Sequence, residues 1–320
     1  MTDEPELPDP DELAALSAQL PAPVLFGTSS WTYPGWKGLV YHKEYKGRGT
    51  AAPMLEEYAR FPLFRTVGID SSFYAPPTDA TLEAYASHLP PGFPCVSKVW
   101  HEITVHTWTK VQGREKAGER NAHFLDAERF MEAVYQPYRL HFADHMGPFV
   151  FEFQAIPAAS RGGLAPEEFA NELDRFFERL PHDAPYAVEI RNPEFLTPRY
   201  FAVLREHGVA HLFNSWTRMP SVGDQLSLED SVTGRFLVVR ALLRPGRTYD
   251  EAVDAFAPYD RIQEPLPELR RDLVRLIRTA LALRLPAYVI VNNRAEGSAP
   301  LTIVAIAKQL IEQMRKDGDR

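Results

Sequence analysis

The run Tyr186–Asn192 carries Glu189 and Arg191 two residues apart, and side chains at that spacing share one face of an extended strand. Other short apolar runs carry Asp70, Lys98, Glu152 and Arg240. A carboxylate in such a place can give or take a proton, so Glu189, Glu152 and Asp70 are the candidate general acids or bases. Arginine and lysine recognise anions, arginine through a planar fork that matches phosphate and carboxylate oxygens. Arg191, Lys98 and Arg240 are therefore the candidate anion-binding groups. Trp31, Tyr33, Tyr74 and Trp216 follow other runs and offer rings on which a sugar or base can stack, while Asn214, Asn292 and Asn293 add neutral hydrogen-bonding groups. The same charges also fit an ion-pair network that merely closes the interior, and the same aromatics fit a hydrophobic plug. Paired carboxylates suit glycoside hydrolysis as well, although a neighbouring arginine lowers a carboxyl pKa and so favours a nucleophile over an acid.

These residues need a scaffold that gathers strand ends. About eight β-like runs, at 24–30, 66–72, 94–100, 148–154, 186–192, 210–216, 235–240 and 287–293, mostly alternate with helical patterns. That rhythm predicts an α/β fold, a single (β/α)8 or TIM barrel, whose active sites lie at the C-terminal strand ends. Helical spacing marks 11–20, 78–89, 125–138, 167–180, 198–207, 266–285 and 301–316, with a further helix behind Thr50 as its N-cap. Residues 1–23 read as an acidic extension outside the barrel, free to move, and residues 24–316 as the barrel. Two long connections, 100–121 and 242–265, follow the third and seventh strands, where long loops are functional or mobile.

Parity orients several candidates. Phe149, Phe151 and Phe153 share one face and must meet the helices, which turns Glu152 and Gln154 into the barrel interior. By the same test Glu189 and Arg191 point inward, as do Gly68, Asp70 and Ser72. Lys98 and Arg240 share faces with apolar residues, so parity leaves their direction open.

Composition narrows the function classes. The chain has 320 residues, 45% hydrophobic and 24% charged, ordinary for a soluble globular protein. It shows no apolar run of membrane-spanning length and no signal-peptide pattern. Its only cysteine, Cys95, allows no intrachain disulfide, and a cytoplasmic setting is the expectation. The net charge is −8, but the six acids within residues 1–12 leave the remainder at −2, far from the basic balance of a typical nucleic-acid binder. The histidines His101, His106, His141, His145 and His211 are scattered, and no metal or other cofactor is called for. The expected partner is a small anionic or ring-bearing ligand; nucleic acid is the alternative, and no membrane is implied.

The strand-end residues resemble a known pattern. Gly27-Thr28-Ser29-Ser30-Trp31-Thr32-Tyr33-Pro34-Gly35-Trp36 is similar to the opening motif of the YecE-like family, a domain family of unknown function. Ser71-Ser72-Phe73-Tyr74, Lys98 with Ile103-Thr104, Glu189-Ile190-Arg191 before Phe195, and Asn292-Asn293 resemble its later motifs, in order over residues 24–312. The resemblance implies a TIM barrel and supplies no established reaction. Three places depart from it. Gly68 and Asp70 stand where the family carries Glu-x-Asn. Glu152 and Gln154 precede Ala155-Ile156-Pro157 where it has a glutamine-proline pair. Arg240 is followed by Ala241-Leu242-Leu243 instead of His-Gly. The function expected is an enzyme, a hydrolase or isomerase, acting on an anionic sugar- or nucleotide-like compound. A nucleic-acid-binding barrel with little catalysis is the competing expectation.

Overall fold

In the computed structural model, which describes residues 7–318 except 48, 111, 113 and 114, eight parallel strands surround one lumen. They are β1 (Val24–Thr28), β2 (Val67–Ile69), β3 (Cys95–Lys98), β4 (Met146–Phe153), β5 (Tyr186–Ile190), β6 (Ala210–Ser215), β7 (Leu237–Ala241) and β8 (Ala287–Val291). Their order is β1-β8-β7-β6-β5-β4-β3-β2. The (β/α)8 reading of the sequence describes this barrel.

The seam between β1 and β2 closes by other means than a regular ladder. The Arg65 and Thr66 amides donate to the Phe26 carbonyl at 2.9 and 3.2 Å. The Tyr58 hydroxyl then bridges the strands, accepting from the Thr28 amide at 2.9 Å and donating to the Thr66 carbonyl at 3.1 Å. Gly27 is required here: a Cβ on it would lie 2.2 Å from the Thr66 oxygen.

Alternation sorts the strand residues as expected. Outside the barrel, Phe149 meets Tyr138, Phe151 meets Phe176 and Phe153 meets Phe169, with ring centroids 5.1–5.3 Å apart. Inside, Val96, Val150, Ala187, Leu212, Val238 and Ile290 fill the lumen as an apolar plug. Two residues further along the strands, the lumen face is occupied by Lys98, Glu152, Glu189, Asn214 and Arg240. The structure thus turns Lys98 and Arg240 inward beside Val96 and Val238, where parity alone left them open.

The longer helices follow the predicted positions, and shorter ones fall within the connections. Thr50 is the N-cap residue of the Ala51–Ala59 helix, as expected, and its carbonyl accepts from the Met54 amide at 2.9 Å, but its side chain makes no capping bond and its hydroxyl is directed to the Gly47 carbonyl at 3.5 Å. Tyr249–Phe256 is helical within the long seventh connection, capped by a reciprocal Thr248–Glu251 box. The extension is docked over its described part. Pro10–Gln19 is a helix that buries Leu13 and Leu16, and Arg65 donates to the Ser17 and Pro21 carbonyls at 3.0 and 2.8 Å. Its acids at 3, 4 and 6 lie outside the described residues. Among the described residues no helix is long and apolar enough to cross a membrane.

Removing the Tyr58 hydroxyl strands a buried amide and a buried carbonyl, each costly without a partner. Tyr58→Phe is expected to lose about 1–3 kcal/mol of stability in urea denaturation. An unchanged midpoint would show that the seam closes without it.

Candidate active site at the barrel mouth

Register fixes the central problem of the site. Glu152 and Glu189 are directly paired positions on β4 and β5, so two carboxylates face the lumen side by side. Arg240 reaches across from β7 and answers both: Nη1 donates to Glu152 Oε2 at 2.7 Å and to Glu189 Oε2 at 2.5 Å. Its Nη2 donates to Asp70 Oδ2 at 2.7 Å. Lys98 Nζ lies 2.8 Å from Glu152 Oε2 and 3.4 Å from Asp70 Oδ2. Arg191 Nη2 lies 2.6 Å from Glu189 Oε1 and 3.3 Å from Glu152 Oε2. The former contact is an ion pair whose angles fall outside those of a hydrogen bond. Gln154 Nε2 donates to the other Glu152 oxygen. Three acids and three cations therefore balance.

The cluster has depth. The side chains of Glu189, Arg240, Arg191 and Glu152 are 0–5% exposed, whereas Lys98 and Asp70 reach 12% and 24% and form its solvent-facing end. Burial alone pushes the Glu152 carboxyl up, but the charges of Lys98, Arg191 and Arg240 outweigh it and hold it well below the usual carboxylate range. Burial likewise opposes the Arg240 charge, and Asp70, Glu189 and Glu152 more than restore it. Glu152 is therefore ionised at neutral pH and has no proton to donate.

Arg191 is incompletely used. Its guanidinium lies over the Trp216 ring, 4.0 Å from the centroid, and its buried Nε and Nη1 have no acceptor among the described residues. Native interiors rarely leave such donors unmatched. Lys98, by contrast, is seated on the Phe73 ring at 4.9 Å, and its carbonyl accepts from the Ser72 hydroxyl at 2.7 Å.

The other candidates divide. Asn214 lies in the lumen wall, its Nδ2 donating to the Ile190 carbonyl at 3.2 Å and its buried Oδ1 without a partner among the described residues. Asn292 and Asn293 serve the chain itself: their Oδ1 atoms accept from the Arg294 and Ala299 amides at 3.0 and 2.8 Å. Trp31 is not a stacking surface. It is 3% exposed, its indole N–H donates to the Ala51 carbonyl at 2.7 Å, and it meets Tyr85 edge-on. Tyr33 packs on Trp36 and Tyr259, and Tyr74 stands 73% exposed, edge-on to Phe73. Of the four aromatics singled out, Trp216 is the one stacked on a cluster cation. Arg244 and Arg247 are both drawn to Glu264, at 2.7 and 2.5 Å, within their own loop.

Two supporting residues escape a sequence reading. Phe73, which the sequence shows only as part of the Ser71-Ser72-Phe73-Tyr74 motif, carries Lys98. Gln225 is fully buried and holds the Asn214 backbone, donating to its carbonyl at 2.7 Å. It sits on the helix Val222–Ser227, too short to show a period. Among the described residues no three His, Cys, Asp or Glu side chains group to hold a metal. Cys95 is buried, and burial pushes its thiol pKa up, which leaves it inert.

A nearly closed barrel of eight parallel strands, with a buried charged cluster at their C-terminal ends, defines a TIM-barrel protein. The chain belongs to the DUF72 family, described as protein of unknown function, whose family model matches residues 25–319; the YecE-like family is this same family. A DUF72 protein of Thermotoga maritima MSB8 is 17% identical, with 91% of this chain and 99% of that one covered at a TM-score of 0.58. A DUF72 protein of Enterococcus faecalis V583 is 16% identical, covering 90% and 94% at 0.58. At such identities the likeness shows the fold alone. No curated protein matches the chain in sequence.

The depressed Glu152 pKa contributes stability that is present above the ordinary carboxylate range and lost as pH falls through the folded value. Arg240→Met removes one of the cations responsible. Breaking a buried pair is expected to cost about 3–5 kcal/mol near neutrality. The deficit should shrink below about pH 4, where the unfolded chain protonates Glu152 and the folded protein loses the stability tied to its depressed pKa. Urea denaturation of both proteins at the two pH values checks this; a deficit independent of pH would mean the arginine acts by packing alone.

Proposed function

We propose that the protein is an enzyme, a hydrolase or isomerase, acting on an anionic, phosphate-bearing sugar- or nucleotide-like substrate at the C-terminal face of the barrel. One observation carries the reading: a buried arginine, tied to acids through Nη2, keeps Nε and Nη1 unmatched among the described residues. Oxygens of a phosphate supply the missing acceptors, and a guanidinium held in a dry, preorganised site stabilises charge more than one in water. Glu189 and Glu152 fix where that guanidinium lies.

Asp70 is the acid–base group in this reading, because it is the most exposed of the three carboxylates. Asp70 meets both Arg240 and Lys98 through Oδ2; when an arriving phosphate takes the place beside Lys98, Asp70 stays anchored on Arg240 and moves a proton at Oδ1. Trp216 offers its ring to the rest of the ligand. Glycoside hydrolysis fits less well, since it needs one protonated carboxyl. Glu152 and Glu189 instead share one arginine nitrogen, and Glu152 is held ionised.

A thermal-shift screen tests the reading with sugar phosphates, nucleotides, neutral sugars and short single-stranded oligonucleotides at low and moderate salt. A ligand that binds only the folded state raises the Tm. Stabilisation by small phosphomonoesters that persists in moderate salt is expected. Stabilisation by oligonucleotides alone, vanishing with salt as counterion release requires, would replace this reading with nucleic-acid binding.

A further inference from the structure

A cavity of about 470 Å³ lies beside the cluster, between the loops after β6 and β7 and the start of the helix Pro267–Ala282. Its walls include Trp216, Met219, Val222, Leu243, Pro245 and Leu269. It is far larger than a packing defect and falls in the range of small-molecule sites. Met219, Val222, Leu243 and Leu269 are at most 9% exposed, so the walls belong to the folded core and not to a loose surface. Four charged residues stand at its edge, of which Glu268 and Arg271 are exposed and 3.6 Å apart. Arg244 is paired with Glu264, and Asp272 accepts from the Gly223 amide at 2.9 Å.

The cavity and the charged cluster share a wall. Trp216 borders the cavity and carries Arg191 on its ring, and Ser215, which also lines the cavity, directly follows Asn214 on β6. A ligand bound to Arg191 therefore has an apolar compartment one indole away.

We propose that this cavity receives an apolar or aromatic ring of the same ligand whose acidic group Arg191 holds. The substrate class is then a monoester that joins a phosphate to a planar, largely apolar ring, in preference to a bare sugar phosphate. The proposal rests on the anion reading above and narrows it.

The test is calorimetric titration of the full chain with inorganic phosphate, 1-naphthyl phosphate and 1-naphthol. Naphthyl phosphate is expected to bind at least about tenfold more tightly than phosphate, from the apolar area it buries. Met219→Trp, which fills the cavity, should erase that gain and leave the phosphate affinity unchanged. Leu269→Phe is the milder filling variant should Met219→Trp fail to fold. Equal affinities for phosphate and naphthyl phosphate would overturn the cavity proposal and leave the anion reading standing. Binding of 1-naphthol without either phosphate compound would overturn the anion reading, and with it a ligand that spans both places.

Discussion

Two glutamates held side by side on adjacent strands are the constraint from which the mouth of this barrel follows. Like charges directly opposite one another in a sheet repel, and here they do so in a lumen that solvent scarcely reaches. Arg240 relieves this by bonding both carboxylates through one nitrogen, while its other nitrogen takes Asp70. Lys98 and Arg191 complete the neutralisation. Such a buried network seldom adds net stability over a well-packed apolar lumen. Its effect is positional: every acid is committed to a cation, so the cations cannot wander, and Arg191 is presented with two donors unspent.

The rest of the molecule serves that placement. The apolar plug of Val96, Val150, Ala187, Leu212, Val238 and Ile290 fills the lumen beneath the charges, which leaves the ionic layer only the strand ends to occupy. The seam at β1 and β2 brings Asp70 within reach of β7, and it does so through a tyrosine bridge and a close backbone contact that only Gly27 allows. The loop after β6 turns Trp216 back over Arg191, and the buried amide of Gln225 pins the strand that precedes it.

Much of this was legible in the chain because strands have a period of two. Three phenylalanines on one face of β4 were enough to turn Glu152 inward, and the same rule oriented Glu189, Arg191 and Asp70. It was silent on Lys98 and Arg240, whose apolar face-mates line the lumen plug and not the helix interface. Trp31 reads as a stacking surface in the sequence because a large aromatic beside a strand end looks alike whether it covers a ligand or fills the core; its indole N–H finds a backbone carbonyl, which makes the core the better place. The cavity beside Trp216 had no linear signature at all, since its walls come from the β6 loop, the β7 loop and a later helix.

The most direct test is a phosphorus NMR titration of glucose 6-phosphate into the wild type and Arg191→Lys. Lysine keeps a charge for Glu189 but lacks the guanidinium's Nε and Nη1, so it separates anion recognition from the ion-pair network. The expected result is saturable binding to the wild type and an affinity at least about tenfold lower for a variant that still folds. Equal affinity in the two proteins, or no binding to the wild type, would contradict the claim that Arg191 waits for an anion and would leave the cluster a structural closure of the barrel.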